Sequence, residues 1–155
     1  MRKVGRMFLA VVFGFVGAWA LVQFLGQNPP EGLGVHEGRL TDCPDTPNCV
    51  CSDCEGSHKM APLHFQGEPA PAMAALKNAL TKKGIRILTE KEEYLHAVAT
   101  TPLMRFHDDL EFLIDADEKV IHYRSASRLG KSDLGKNRAR LKELFIELAK
   151  ENIGE

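Results

Sequence analysis

Polar and apolar positions alternate most strictly between Asp109 and Arg128. In Asp109–Ala116, Leu110, Phe112 and Ile114 alternate with Asp109, Glu111 and Asp115, and in Val120–Arg128, Ile121, Tyr123, Ser125 and Ser127 alternate with His122, Arg124, Ala126 and Arg128. A period of two is the mark of a half-buried strand. A tight turn at Asp117-Glu118 joins the two as a hairpin and pairs Ala116 with Lys119. That register sets Ile114 opposite Ile121 and Phe112 opposite Tyr123 on the core face. It sets Glu111 opposite Arg124, with Leu113 beside His122, on the other.

Elsewhere the periods change. Pro69–Lys83 carries Met73, Leu76, Ala79 and Leu80 on one helical stripe, with Pro71 in its first turn and Gly84 to close it. Ile85–Glu90 and Tyr94–Thr101 are rich in β-branched residues and read as another hairpin. Ser132 or Asp133 caps a last helix running to about Lys150, with Leu134, Leu141, Leu144, Phe145 and Leu148 as its buried stripe. These elements predict an α+β domain: a four-stranded antiparallel sheet with two helices on one face.

The N-terminal pattern is different in kind. Met7–Leu25 holds nineteen uncharged residues after Arg2, Lys3 and Arg6. As a helix it would extend roughly 28 Å, the thickness of a bilayer core. With the positive flank inside, the chain after it lies outside. Ala18-Trp19-Ala20 has the form of a signal-cleavage site, so residues 1–26 are either a transmembrane anchor or a signal peptide. Apolar sequence continuing through Leu25 favours the single-pass anchor, with secretion after cleavage as the alternative. Both outcomes place the domain outside the cytoplasm, which is the periplasm if the cell is Gram-negative. Residues 27–41, rich in proline and glycine, read as a linker, and residues 42–150 as the domain.

Composition narrows the partners. Of 20 Lys and Arg, three precede Glu31, leaving 17 against 21 Asp and Glu in the rest of the chain. Nucleic acid is a poor match for such a surface, and the basic run lacks interleaved aromatics. All four cysteines lie in C-x5-C-x-C-x2-C spacing. In an exported chain this reads as disulfides, Cys43–Cys49 with Cys51–Cys54 preferred because both loops close locally. Zinc, with His58 or His64 nearby, is the alternative. Cys51-x-x-Cys54 lacks the following helix of a redox motif.

Candidate chemistry lies in Arg105–Arg140. Asp108, Asp109, Glu111, Asp115, Asp117 and Glu118 precede a basic run of Arg124, Arg128, Lys131, Lys136, Arg138 and Arg140. Gly130-Lys131-Ser132 lacks the glycine five residues earlier that a P-loop needs. Arg105, Asp109, Glu111, Arg124, Arg128, Ser132, Asp133, Asn137 and Arg138 are the candidate ligand-binding residues, most of them expected to gather where the fourth strand meets the last helix. No catalytic residue, metal ligand or cofactor is assigned. A module binding an anionic group there (a small molecule, a lipid headgroup or an envelope protein) is the first expectation. A hydrolase-like enzyme using Asp109 and Glu111 with a divalent cation, or a protein-interaction module, are the alternatives. His107 and His122 read as polar surface or internally satisfied residues rather than ligands.

Cys43-Pro44, Pro47-Asn48-Cys49-Val50, Arg105-Phe106, Asp108-Asp109-Leu110-Glu111-Phe112, Arg124-Ser125-Ala126-Ser127-Arg128, and Ser132-Asp133-Leu134-Gly135 with Asn137-Arg138 together resemble the domain-of-unknown-function family numbered 1499. The likeness runs from about Cys43 to Leu148. The family pattern has serine where this chain has Cys51, and the chain adds Cys54; that departure argues against a family-wide metal role and for a local second disulfide. The resemblance implies a small protein, often exported or membrane-attached, and implies no reaction.

Overall fold

The structure, a computed structural model, describes residues 2–151 and 153; the side chains of 2–11, 15 and 25 lie outside the described residues. After a helix α1 (Arg2–Leu25), the chain forms a short hairpin of β1 (Val35–His36) and β2 (Arg39–Leu40). Then come β3 (Cys49–Cys51), β4 (Leu63–His64), α2 (Pro69–Lys82), β5 (Arg86–Glu90), β6 (Tyr94–Thr100), β7 (His107–Asp115), β8 (Val120–Ser127) and α3 (Lys136–Ala149).

The architecture is α+β, and the sheet is antiparallel throughout. It has six strands rather than the expected four, in the order β3-β8-β7-β6-β5 with β4 also on β8. The two additional strands are only three and two residues long. They share one edge of β8, β3 on Arg124–Ala126 and β4 on Val120–Ile121. A strand that short has no visible period, so its partner more than fifty residues away decides it. The β7–β8 register is the predicted one: Glu111 faces Arg124, Phe112 faces Tyr123, Leu113 faces His122 and Ile114 faces Ile121. The Asp115 carboxylate closes the turn by accepting from the Asp117 and Glu118 amides.

The core lies between one face of the sheet and the two helices. Leu95, Leu110, Phe112, Ile114, Ile121 and Tyr123 meet Leu76 and Leu80 of α2 and Leu141, Leu144 and Leu148 of α3. The expected stripe on α3 loses one member. Leu134 is 90 % exposed, because α3 begins only at Lys136 and the backbone before it turns left-handed at Leu134 (φ 55°) and Gly135 (φ 77°). Glycine at 135 removes the steric cost of that conformation.

The opposite face is covered too. Residues 27–41, expected as a linker, run across it: Leu40 packs on Tyr94 and Leu113, and the Gly34 amide donates to Glu111. The transmembrane expectation for Met7–Leu25 falls partly on side chains outside the described residues. Among the described residues, no helix is long and apolar enough to cross a membrane. Both disulfides form as Cys43–Cys49 and Cys51–Cys54.

Candidate functional site

Alternation along β7 and β8 sends the acidic and basic residues to two different sides of the sheet. Asp109, Glu111 and Arg124 point away from the helices, while Asp108, Ser125 and Ser127 point towards them. The candidate residues therefore form two networks, not one.

On the side away from the helices, Asp109 is 1 % exposed and Glu111 is fully buried. Arg128 donates Nε and Nη2 to the two oxygens of Asp109 at 2.8 and 2.7 Å, and the His96 ring lies 2.8 Å from the same carboxylate. Burial pushes the Asp109 carboxyl up, but the His96 and Arg128 hydrogen bonds and the Arg128 charge outweigh it and hold the group below its usual range. Glu111 accepts from the Tyr94 hydroxyl, the Gly34 amide and Arg124 Nη1. Burial and the adjacent Glu111 charge push the Tyr94 phenol up. Arg124 Nε is a buried donor with no partner among the described residues. Leaving such a donor unpaired costs about 1–3 kcal/mol.

On the helix side, Asn137 is the hub and is fully buried. Its Oδ1 accepts from Ser125 Oγ and Arg140 Nη1, and its Nδ2 donates to the Asn48 carbonyl and Ser127 Oγ. Asp108 accepts from Ser127 and from Arg140. Asp133 is the cap the sequence suggests, one step removed: its carboxylate accepts from the amides of Gly135 and Asn137, while Gly135 itself occupies the cap position. Ser132 Oγ accepts from the Leu134 amide. Arg138 donates to the carbonyls of Ser57 and Lys59 and so braces the loop after the second disulfide. Arg105 joins neither network; it sits at φ 52° in the β6–β7 connection with its side chain exposed. The Ser125 and Ser127 hydroxyls donate to Asn137 and Asp108.

Three partners escaped sequence reasoning. Tyr94 and His96 reach Glu111 and Asp109 only through the β6–β7 register, and the long connection between those strands hides it. Asn48 had a signal, the Pro-Asn-Cys motif, and it donates to the Gly130 carbonyl at 2.7 Å. His107 is held below its usual value by partial burial and by the Arg128 and Arg105 charges. His122 bonds to Asp53 at 2.6 Å.

Among the described residues, two groupings could hold a cation by distance alone. The sulfurs of Cys43, Cys51 and Cys54 lie within 4.8 Å of one another, yet each is in a disulfide and offers no thiolate. Asp115, Glu118 and His122 also converge, with Asp115 holding its turn and His122 holding Asp53.

The open space is elsewhere. A hollow of about 450 Å³ lies between the end of α1 and the start of α3, with Val22, Phe106, Leu129 and Leu134 on its walls. Thr101, Asp108, Ser127, Ser132, Asp133 and Lys136 are its polar lining residues. Both Asp108 and Ser127 are already engaged with each other and with Arg140 or Asn137.

No curated protein matches the chain in sequence. The family described as "Protein of unknown function (DUF1499)" matches residues 39–148, which takes in the side chains of both networks and both disulfides.

Proposed function

The chain belongs to the DUF1499 family, and from that premise we propose that it is a membrane-tethered, extracytoplasmic binding module. Its ligand is an anionic group carried on an apolar body, held in the hollow beside Ser127 and the 130–136 loop. The hollow carries the proposal. Its volume of about 450 Å³ is that of a small-molecule site, and such sites combine apolar walls with a few polar groups. It borders both halves of the Arg124–Arg128 and Ser132–Gly135 motifs. Lys136 stands at its rim, exposed and without an ion pair among the described residues.

The arginines first expected to bind the anion are turned inward. Arg128 and Arg124 neutralise Asp109 and Glu111, so charge recognition passes to Lys136 and Lys131. The same pairing argues against hydrolysis by Asp109 and Glu111. A general base or cation site needs a carboxylate oxygen open to substrate, whereas these two are buried beneath residues 26–42.

The tether reading rests on the nineteen uncharged residues Met7–Leu25 behind Arg2, Lys3 and Arg6. Two disulfides fit an oxidising compartment. Native mass spectrometry of the full chain, released from membranes in mild detergent, tests the whole reading. The wild type should keep its N-terminus, weigh four hydrogens less than the reduced chain and carry an anionic amphiphile. Lys136→Glu should lose the adduct and stay folded, since a negative charge in the first turn suits the helix dipole. An equally bare spectrum for both proteins would refute the binding reading.

A further inference from the structure

We infer that the two loops flanking the end of α1, residues 101–106 and 129–136, form a face that rests on an anionic lipid surface. The inference rests on the tether reading, because α1 is what brings this face to lipid.

The observation is a concentration of exposed apolar side chains at one end of the domain. Leu103 is 85 % exposed and Leu134 90 %, with Met104 and Phe106 beside Leu103 and Phe24 at the end of α1 also exposed. Single exposed hydrophobics are ordinary, but a cluster marks a surface with a partner. These side chains are held outward by built structure. Leu134 is presented by its left-handed backbone and by the Asp133 carboxylate, which binds the amides on its far side. Leu103 and Met104 ride the tip of the β6–β7 connection, whose base is closed by Thr101 accepting from the Phe106 and Arg105 amides.

Their position relative to α1 selects the partner. Gln23 Nε2 donates to the Met104 carbonyl at 2.7 Å. A second, almost wholly apolar groove runs between Trp19 and Val22 of α1 and Leu103 and Met104. At the other loop, Leu129 approaches Gly26 so closely that a Cβ there would sit 3.2 Å from Leu129 Cδ1. Both loops thus ring the point where the apolar helix reaches the domain, and their apolar tips continue its apolar surface. The charges agree. Arg105, Lys131 and Lys136 are exposed among these tips, and the one acid in the two loops, Asp133, is occupied by amides. Basic groups interleaved with Leu and Phe at a membrane interface meet anionic headgroups while the apolar tips enter the boundary.

The test uses the full chain in vesicles of mixed zwitterionic and anionic phospholipid with brominated acyl chains. Trp19→Phe removes the sole native indole. Onto it are placed Leu134→Trp as the probe or Ile146→Trp as the control, since Ile146 is exposed about 15 Å along α3 from Lys136. Flotation is measured on the same samples. The inference expects both proteins to float, with a blue-shifted, bromine-quenched indole for Leu134→Trp and an unquenched one for Ile146→Trp. It also expects Lys131→Glu with Lys136→Glu to weaken the quenching. Flotation without quenching at Leu134→Trp overturns the inference and leaves the tether standing, whereas chains that do not float overturn both. A blue shift that persists without lipid and grows with protein concentration means that a second copy covers the face, and also overturns it.

Discussion

Arg128 grips Asp109 with two parallel hydrogen bonds and uses its remaining nitrogen to hold the carbonyls of Gly26 and Gln27. One guanidinium therefore joins the last residue of the β8 motif, a buried carboxylate on β7 and the segment that leaves α1. The arrangement is a mechanical link between helix and domain, and it explains why this arginine is unavailable to a ligand.

Arg128→Ala should cost about 3–5 kcal/mol, the usual loss when one partner of a buried ion pair is removed. Arg128→Lys should recover only part, because an ammonium cannot reproduce the fork. Urea unfolding of the full chain checks both. A cost within the range of surface substitutions would mean the pair contributes nothing.

Glu111→Gln should cost roughly 3 kcal/mol, leaving the Arg124 charge uncompensated beside its already unpaired Nε. Tyr94→Phe deletes one hydrogen bond to the same carboxylate and should cost less, about 1.5–3 kcal/mol. Equal or reversed costs would show that Arg124 is neutralised by some other group.

Asp109 gives the chain an acid limb of defined sign. Its carboxyl is held below the ordinary value of 3.8 when folded. Stability from this group is thus complete above that unfolded value and is lost as pH falls through the lower folded one. Melting temperatures measured from neutral pH down to roughly pH 3 should fall more steeply for the wild type than for Asp109→Asn. Parallel curves would contradict the assignment.

Asn137→Ala strands the Ser125 hydroxyl and Arg140 Nη1 and leaves the Asn48 carbonyl with the Ser127 amide alone, and should cost roughly 3 kcal/mol. Asn137→Asp keeps the acceptors but adds a buried charge near Asp108 and should cost at least as much. Thermal unfolding decides, and a neutral Asn137→Ala would remove the hub from this account.

What could be read in advance follows from how local the determinants are. The β7–β8 hairpin has a four-residue connection and strict alternation, so Glu111 facing Arg124 and Phe112 facing Tyr123 were readable residue by residue. Cys43–Cys49 and Cys51–Cys54 were readable because short loops close locally. The strands at Cys49–Cys51 and Leu63–His64 were not, since their pairing on β8 is imposed from across the chain. Nor was the covering of Glu111 by Gly34, because a proline- and glycine-rich segment carries no period to betray its packing. The candidate residues were identified as a set, but one detail of alternation divided them: Asp108 and Asp109 are neighbours in sequence and lie on opposite faces of the sheet. The exposure of Leu134 turned on backbone sign at two residues, which apolar spacing does not encode.

The most direct test of the binding reading is amide chemical-shift mapping of the full chain in detergent, titrated with a short-chain anionic phospholipid and with its zwitterionic counterpart. Saturable shifts are expected with the anionic lipid at Thr101, Phe106, Ser127, Gly130, Ser132 and Lys136, and weaker ones with the zwitterion. Saturable shifts centred instead on Asp109, Glu111 and Arg124, or no saturable shift with either lipid, would contradict the binding reading.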